Sequence, residues 1–496
     1  MHRTSLTRTA AFPAVVAAFV FFTAPVPLAS QTPTALMRGV SAEKIAALEA
    51  LDDLADEIRE MSMTLWEYSE IALLEHRSAE YLAGLLAAEG FEVETGVAGM
   101  PTAFTATFSH GSGGPVLGVL AEYDALPGVG NEPVPHRQSR ADGVTSGQGC
   151  GHNLFGAGSV GAAIAIKRAM VDRDIAGEVR LFGTPAEETV VGKVYMANAG
   201  VFDGVDATLV WHPMTETRVT NASTQAMNNF TVEFRGQAAH SAADPWNGRS
   251  ALDAAEMMNY GANLMREHVY PSTRIHYVMP NAGEAPNVVP EYAKVWYYVR
   301  DTLRANVDEY YEWLLDIADA AAQATRTEHE VSLITGVHAL LLNRPLQEAM
   351  QANLEAVGGP RFPDAFQAWG REMQAGLDIE QVGLDIDVQP LAARPTPAQG
   401  GSTDVAEVSW LTPTVQLEVT SAPKGVPWHS WATSASHGTE WAAAAADVAA
   451  RVMAMTGVDL LTDPDLLAAA KGAHGRSTAG RPWQSPIPRD QKPPIP

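Results

Sequence analysis

Three short apolar runs, at residues 116–120, 179–182 and 207–210, each stop abruptly at a polar loop. After the first loop comes a long stretch, 153–170, rich in alanine and isoleucine and apolar on most faces. Runs this short, bounded by turn residues, read as strands buried on both faces. Strands that alternate with such a helix read as a parallel α/β sheet. Sites in these sheets form beyond the carboxyl ends of the strands. The loops at those ends are Glu122-Tyr123-Asp124-Ala125-Leu126-Pro127-Gly128, Gly183-Thr184-Pro185-Ala186-Glu187-Glu188 and Trp211-His212-Pro213. Asp124, Glu187, Glu188 and His212 are therefore expected to converge on one edge of the sheet.

Upstream, Ser41 can cap a helix to about residue 63, with Ala46, Leu48, Leu51, Leu54 and Ile58 on one face. The pattern changes near Thr220. Residues 228–234 alternate like a strand, 250–268 read as a helix, and 274–278 and 293–299 as strands. A helix at 307–325 and a strand at 330–334 follow. The order β-α-β-β-α-β is that of a ferredoxin-like unit, here inserted into the first domain. The first domain resumes with a helix at 346–357. Gly400-Gly401-Ser402-Thr403-Asp404 opens another helix. A strand at 415–419 runs out into Gly425-Val426-Pro427-Trp428-His429-Ser430, and a helix at 439–455 closes the domain. The expected fold is α/β: a mostly parallel-sheet domain with helices on both faces, at 41–221 and 337–470, interrupted by an α+β ferredoxin-like lid at 222–336. Residues 472–496, rich in Pro, Gly, Ser and basic side chains, are expected to lack order.

The amino terminus reads as a targeting segment. Arg3 and Arg8 precede an apolar run at 10–28 and small residues at Ala29 and Ser30, the layout of a secretory signal at 1–30. Pro13, Pro25 and Pro27 interrupt the run, which argues against a retained membrane span. The expected location is secreted or periplasmic, with no other stretch expected to cross a membrane in the mature form. A formal net charge of -25 argues against nucleic acid and anionic membranes as partners. Export also changes the meaning of the one cysteine, Cys150. It has no partner for an internal disulfide, and coordination by metal would protect it.

Cys150 sits in Gly149-Cys150-Gly151-His152-Asn153, where a thiolate and an imidazole can reach one point. Alone, this reads equally as a buried thiol beside a surface histidine. The loops together offer Cys150, His152, Glu188, His212 and His429. These soft and borderline donors with one carboxylate suit Zn²⁺, with Mn²⁺, Co²⁺ or Ni²⁺ open. Five ligands are too many for one tetrahedral site that keeps a water position. They suit two divalent metals that share a bridging ligand and a water. In the Glu187-Glu188 pair, one carboxylate can bind metal while the other stays free as general base. The plainer reading of that pair is a solvated acidic helix start.

The ordered set AEYDALPG (121–128), GCGHNL (149–154), GTPAEE (183–188), KVYMA (193–197), WHP (211–213), QAAHSA (237–242), PNVVP (286–290), GSTD (401–404) and GVPWHSW (425–431) resembles the M20 metallopeptidases and amidohydrolases. Within them it is most similar to the aminobenzoyl-glutamate hydrolase-like branch, over roughly residues 41–467. By that resemblance Cys150, His152, Glu188, His212 and His429 match the ligands of two divalent ions, Zn²⁺ or Mn²⁺, and Glu187 matches the catalytic base. Asp124 matches an aspartate that supports the metal shell by orienting a ligand histidine. His240 and Asn287, on the lid, match residues that hold the scissile carbonyl and the substrate carboxylate. The resemblance further implies a homodimer made through the lid, with His240 able to serve the partner's site. Arg300, at a lid strand end, reads as substrate-binding or structural. Ser402 and Thr403 can donate to a substrate carboxylate. The implied activity is cleavage of a small amide that carries a free carboxylate, an N-acyl or N-aroyl amino acid. A dipeptidase or carboxypeptidase on the same scaffold and a binding protein without catalysis are the alternatives. A Cys-His nucleophilic hydrolase is disfavoured, since it leaves Glu188, His212 and His429 without roles. His136 and His437 fall beside the site loops, and the plainer reading gives neither a function.

Overall fold

The computed structural model describes residues 39–398 and 400–496. The signal sequence read at 1–30 lies outside the described residues. In chain order the first elements are α1 (Ala42–Tyr68), α2 (His76–Ala88), β1 (Glu92–Thr95), β2 (Phe104–His110), β3 (Val116–Ala121), α3 (His152–Asp172), β4 (Gly177–Gly183), α4 (Gly192–Asn198), β5 (Ala207–Met214) and β6 (Arg218–Val219). A second group comprises β7 (Ala226–Arg235), α5 (Ala251–Met265), β8 (Arg274–Asn281), β9 (Tyr292–Asp301), α6 (Arg304–Thr325) and β10 (Glu328–Val337). The chain ends with α7 (Arg344–Val357), α8 (Asp364–Gly376), α9 (Val405–Leu411), β11 (Thr414–Thr420), α10 (Trp431–His437), α11 (Ala443–Thr462) and α12 (Pro464–Thr478).

The strands form two sheets. The larger has the order β1-β2-β4-β3-β5-β11-β6. Its centre, β4-β3-β5-β11, is parallel, and antiparallel strands close both edges. The parallel strands are the apolar runs of the sequence, and their buried Leu117, Val119, Leu181, Leu209 and Leu417 explain the near absence of alternation. α1 starts where Ser41 accepts a hydrogen bond from the Lys44 backbone N–H. It turns Leu48, Leu51, Leu54 and Ile58 onto α3 and α11. It runs past residue 63 to Tyr68 and stops at Ser69, whose φ of 41° is left-handed.

α3 is long and apolar enough to cross a membrane by composition. Its glycines explain why it is instead a core helix. A Cβ at Gly158 would lie 3.0 Å from the Ala446 carbonyl and from Trp211, and one at Gly161 would lie 2.6 Å from Ile58. Small residues let α3 press against the sheet and α11 at distances a larger side chain would forbid.

The smaller sheet has the order β10-β7-β9-β8 and is wholly antiparallel. α5 and α6 pack on it, over a separate core in which Phe230 and Tyr297 stack with centroids 5.5 Å apart. Its order, β7-α5-β8-β9-α6-β10, is the β-α-β-β-α-β read from the sequence. The chain is thus mixed α/β, with a mostly parallel main sheet and a second, antiparallel one.

Besides α8, which falls where the sequence reading places no element, two features depart from that reading. α4 and α10 span seven residues each, about two turns, too short for a hydrophobic period to show. Residues 472–496, expected to lack order, continue α12 to Thr478 and then pack along the joint between the sheets. Trp483 Nε1 donates to Glu407 at 2.7 Å, and Gln491 Nε2 donates to the Leu333 carbonyl and the Tyr195 hydroxyl, each at 2.7 Å. Ile487 is buried. Proline removes the backbone donors of regular structure, but these side chains still find partners.

Candidate metal and active site

Each expected loop leaves the carboxyl end of a parallel strand. Glu122 and Asp124 follow β3, Glu187 and Glu188 follow β4, His212 lies late in β5, and His429 follows β11. Cys150 and His152 flank Gly151 at the start of α3. Gly151 has φ 84°, and a Cβ there would meet His437 Cε1 and Pro213 Cβ at 2.9 Å. Only glycine fits between the two donors. His429 itself holds a left-handed φ of 56°, as does Ala186 (58°) just before Glu187. Non-glycine residues in that region mark backbone that its surroundings hold in place.

The side chains meet in overlapping groups. Donor atoms of Cys150, His152 and His212 lie within 4.8 Å of one another, as do those of Cys150, Glu188 and His429, and those of Glu122, His152 and Glu187. Cys150 belongs to the first two. Its Sγ is 3.3 Å from His212 Nε2. His212 Nδ1 is 2.6 Å from the Pro213 carbonyl, which can only accept, so Nδ1 carries the proton and Nε2 keeps a free lone pair. Asp124 Oδ1 lies 2.8 Å from His152 Nδ1, and Oδ2 accepts from the Glu188 backbone N–H at 2.9 Å. His152 Nε2 then faces Glu122 at 3.2 Å and Glu187 at 4.0 Å. His429 Nε2 is 3.4 Å from Glu188.

Buried acidic groups crowd the site around His152: burial opposes a charge on its ring, but Cys150, Asp124 and Glu122 outweigh burial and raise its pKa well above the usual imidazole value. Burial, and then the Glu122 charge, pushes Glu187 up to about 7. Burial raises Glu188 well above the carboxylate range, although His152 opposes the shift. Burial, reinforced by Glu188, raises the Cys150 thiol. Burial and the neighbouring His152 lower His212 to about 3, so its imidazole is neutral. The thiol, the neutral His212 and the crowded carboxylates are groups a divalent cation would hold, and it would take the place of the His152 proton, since ligands bind deprotonated. His152 Nε2 and Glu188 Oε1 are buried without a hydrogen bond, and buried polar atoms normally have one. The donor set and these orphan atoms fit metal.

Four buried ionisable groups were not legible as site residues. Lys193 Nζ lies 2.7 Å from Glu122 and 2.7 Å from Asp404, and all three side chains are buried. Burial opposes the lysine's charge, but Asp404 and Glu122 outweigh it and raise its pKa. Glu75 accepts from the Ala186 backbone N–H at 2.9 Å and so braces the Glu187 loop. One sequence signal was present: Lys193 stands among Val191, Val194 and Met196, and a charge in an apolar run needs a buried partner.

A cavity of about 770 Å³ opens from the cluster toward the second sheet, and Arg300, Ser402, Thr403 and Trp428 line it. Arg300 Nη1 donates to Ser402 Oγ at 3.4 Å, and its Nε is buried with no partner. The Thr403 hydroxyl accepts from the Val405 N–H. His240 and Asn287 do not line this cavity. They neighbour each other on exposed loops, where the Ser241 N–H donates to the Asn287 carbonyl. Arg300 pairs with Met227 near one end of the second sheet, and Arg235 pairs with Tyr292 at the other. Those rows are about 27 Å apart along the strands, so His240 and Asn287 stand beyond the far end. His437 is buried, donating to the Gln148 carbonyl and facing the Ser421 hydroxyl at 3.0 Å, and His136 is exposed.

A parallel α/β sheet with candidate ligands at its strand ends and a second, antiparallel sheet inserted is shared with known proteins. Residues 118–470 match peptidase family M20/M25/M40. The chain belongs to this family and is an M20-family hydrolase. It is 35% identical to one of the subunits of the p-aminobenzoyl-glutamate hydrolase of Escherichia coli, over 89% of this chain and 95% of that one. It is 28% identical to the Xaa-Arg dipeptidase of Mus musculus, over 86% and 90%. Among solved structures, a dinuclear metal-binding M20 peptidase from Bacillus subtilis shares the fold, with a TM-score of 0.54 and 18% identity, over 83% of this chain and 99% of that one.

Proposed function

We propose that the chain is an exported, metal-dependent amidohydrolase that cleaves N-acyl or N-aroyl amino acids, with aminobenzoyl-glutamate as the type of substrate. The observation that supports this most is the shared thiol. Cys150 belongs to both ligand groups, at one end of a cavity that also holds Arg300 and Ser402. Cys150, His152 and His212 would hold one divalent ion, Zn²⁺ or Mn²⁺, and Cys150, Glu188 and His429 a second. When bound, the ions supply acidification of a water and polarisation of the amide carbonyl. Glu187 takes the proton of the attacking water and passes it to the leaving nitrogen. Asp124 keeps the His152 ring and the Glu188 loop aimed. Arg300, with its unpartnered Nε, receives the substrate carboxylate together with Ser402 and Thr403.

His240 and Asn287 lie too far away to act within their own chain. A homodimer through the lid would bring His240 of the partner subunit to the scissile carbonyl. Export rests on the arginines and apolar run of residues 1–30.

The test is hydrolysis of N-acyl amino acids, aminobenzoyl-glutamate and dipeptides by wild type and Glu187→Gln, with and without chelation and metal add-back. Metal-dependent turnover that collapses in Glu187→Gln while metal content holds supports the reading. Chelator-insensitive turnover would overturn it. The similarity to an Xaa-Arg dipeptidase supports a second reading, a dipeptidase on the same scaffold, and preferential cleavage of dipeptides would favour it. A sizing column tests the dimer, and a monomer at assay concentration would remove the case for His240 acting in trans.

A further inference from the structure

The loop that carries Glu187 and Glu188 bends into left-handed backbone on either side of them, at Ala186 (φ 58°) and Val190 (φ 57°). Neither residue is glycine, so the surroundings hold each bend. Within the loop the Val190 N–H donates to the Glu187 carbonyl at 2.7 Å, and the Val191 N–H to the Ala186 carbonyl at 3.1 Å. A Cβ on Gly192 would run into the Pro185 carbonyl, so the turn closes tightly on itself. Ala186 is anchored at its N–H by Glu75. Val190 is anchored from the second sheet: the Thr335 hydroxyl donates to its carbonyl at 2.6 Å, and both residues are buried. Thr335 reaches Val190 because β10 carries a bulge. The register with β7 shifts between Leu333 and Thr335, which leaves Ile334 without a partner on β7. A bulge re-aims the side chains beside it. The freed Ile334 carbonyl accepts from the Tyr195 hydroxyl, on α4, at 2.8 Å.

We infer that Thr335 is a positioning residue for the general base: through the Val190 carbonyl it fixes the turn that aims Glu187, and so ties the base to the last strand of the second sheet. The inference rests on the amidohydrolase reading, in which Glu187 takes the proton of the attacking water. Arg300, on β9, belongs to the same sheet, so the base and the group that receives the substrate are referenced to one body. Glu188 has an anchor of its own, since its N–H donates to Asp124. Losing the Thr335 hydroxyl therefore frees Glu187 and leaves the neighbouring ligand in place. A base displaced by about 1 Å loses much of its effect on rate, while the contacts that bind substrate are untouched.

The experiment compares metal-loaded wild type, Thr335→Val and Thr335→Ser. Valine keeps the shape and removes the hydroxyl; serine keeps the hydroxyl. On the amide that wild type cleaves best, kcat should fall roughly 10–100-fold in Thr335→Val, with KM and metal content unchanged. Thr335→Ser should recover most of the loss. Hydrogen exchange of the amides of residues 187–191 should quicken roughly tenfold in Thr335→Val and stay near wild type in Thr335→Ser. Should Thr335→Val not fold, Thr335→Ala removes the same hydroxyl. Unchanged exchange or unchanged kcat in Thr335→Val, no recovery in Thr335→Ser, or metal lost along with kcat overturns the inference. Exchange needs no turnover. If it follows the hydroxyl while wild type cleaves no amide, the hydrolase reading fails and the anchor stands.

Discussion

Asp124 Oδ1 lies 2.8 Å from His152 Nδ1, while its Oδ2 accepts from the Glu188 N–H, so one carboxylate aims two candidate ligands. Asp124→Asn keeps the shape and removes the charge. Metal affinity should fall about 10–100-fold, read by competition with a chromogenic chelator. Unchanged affinity would mean that the two loops hold their ligands without this carboxylate.

The Lys193 ammonium is the cation between Glu122 and Asp404. Lys193→Met leaves two buried carboxylates facing each other and should destabilise the fold by about 3–5 kcal/mol in denaturant unfolding. Adding Asp404→Asn should recover part of that loss. A single variant as stable as wild type would show that the three groups are not all charged.

At Gly151 both the left-handed φ and the 2.9 Å approach of His437 and Pro213 exclude a side chain. Gly151→Ala should lower stability by about 2–4 kcal/mol and separate Cys150 from His152. Thermal unfolding reads the first effect and metal content the second.

Asp301, on β9, accepts from Thr273 and Ser272 hydroxyls, the Leu303 N–H and Asn306. Burial opposes its charge, but these donors outweigh burial and lower its pKa. A depressed carboxyl stabilises the fold above its unfolded pKa, about 3.9, and that contribution disappears as pH falls through the folded value. Asp301→Asn should therefore be less stable than wild type by roughly 1–3 kcal/mol near pH 7. The gap should narrow as the pH falls below about 4. A gap independent of pH would remove the charge from the explanation.

The carboxyl-terminal segment joins α4, α9 and β10 through Gln491, Trp483 and the buried Ile487. Truncation after Thr478 removes these contacts. It should destabilise the protein by about 2–4 kcal/mol and raise protease sensitivity around residues 333–338. Unfolding and limited proteolysis of the same sample would check both.

The parallel sheet was readable because strands buried on both faces must be continuous apolar runs, and the ligand candidates because each lies where such a run ends. The inserted β-α-β-β-α-β order was readable from its alternation. Glu122 and Lys193 were not, although both lie in conspicuous motifs. Their meaning is a contact between residues 71 positions apart, and that of Lys193 with Asp404 spans 211. Composition predicted a tail without order, but Trp483 and Gln491 find partners on elements far away in sequence.

The sequence by itself determined which segments bury and which donor types gather at one sheet edge, because both follow from local hydrophobic pattern. The folded chain alone reveals that Cys150 belongs to two groups of candidate ligands, that a buried lysine joins two carboxylates, and that His240 lies beyond the far end of the second sheet. The physical reason is that charge pairing and ligand sharing depend on distances of a few ångströms between side chains, and those distances exist only once the chain has closed.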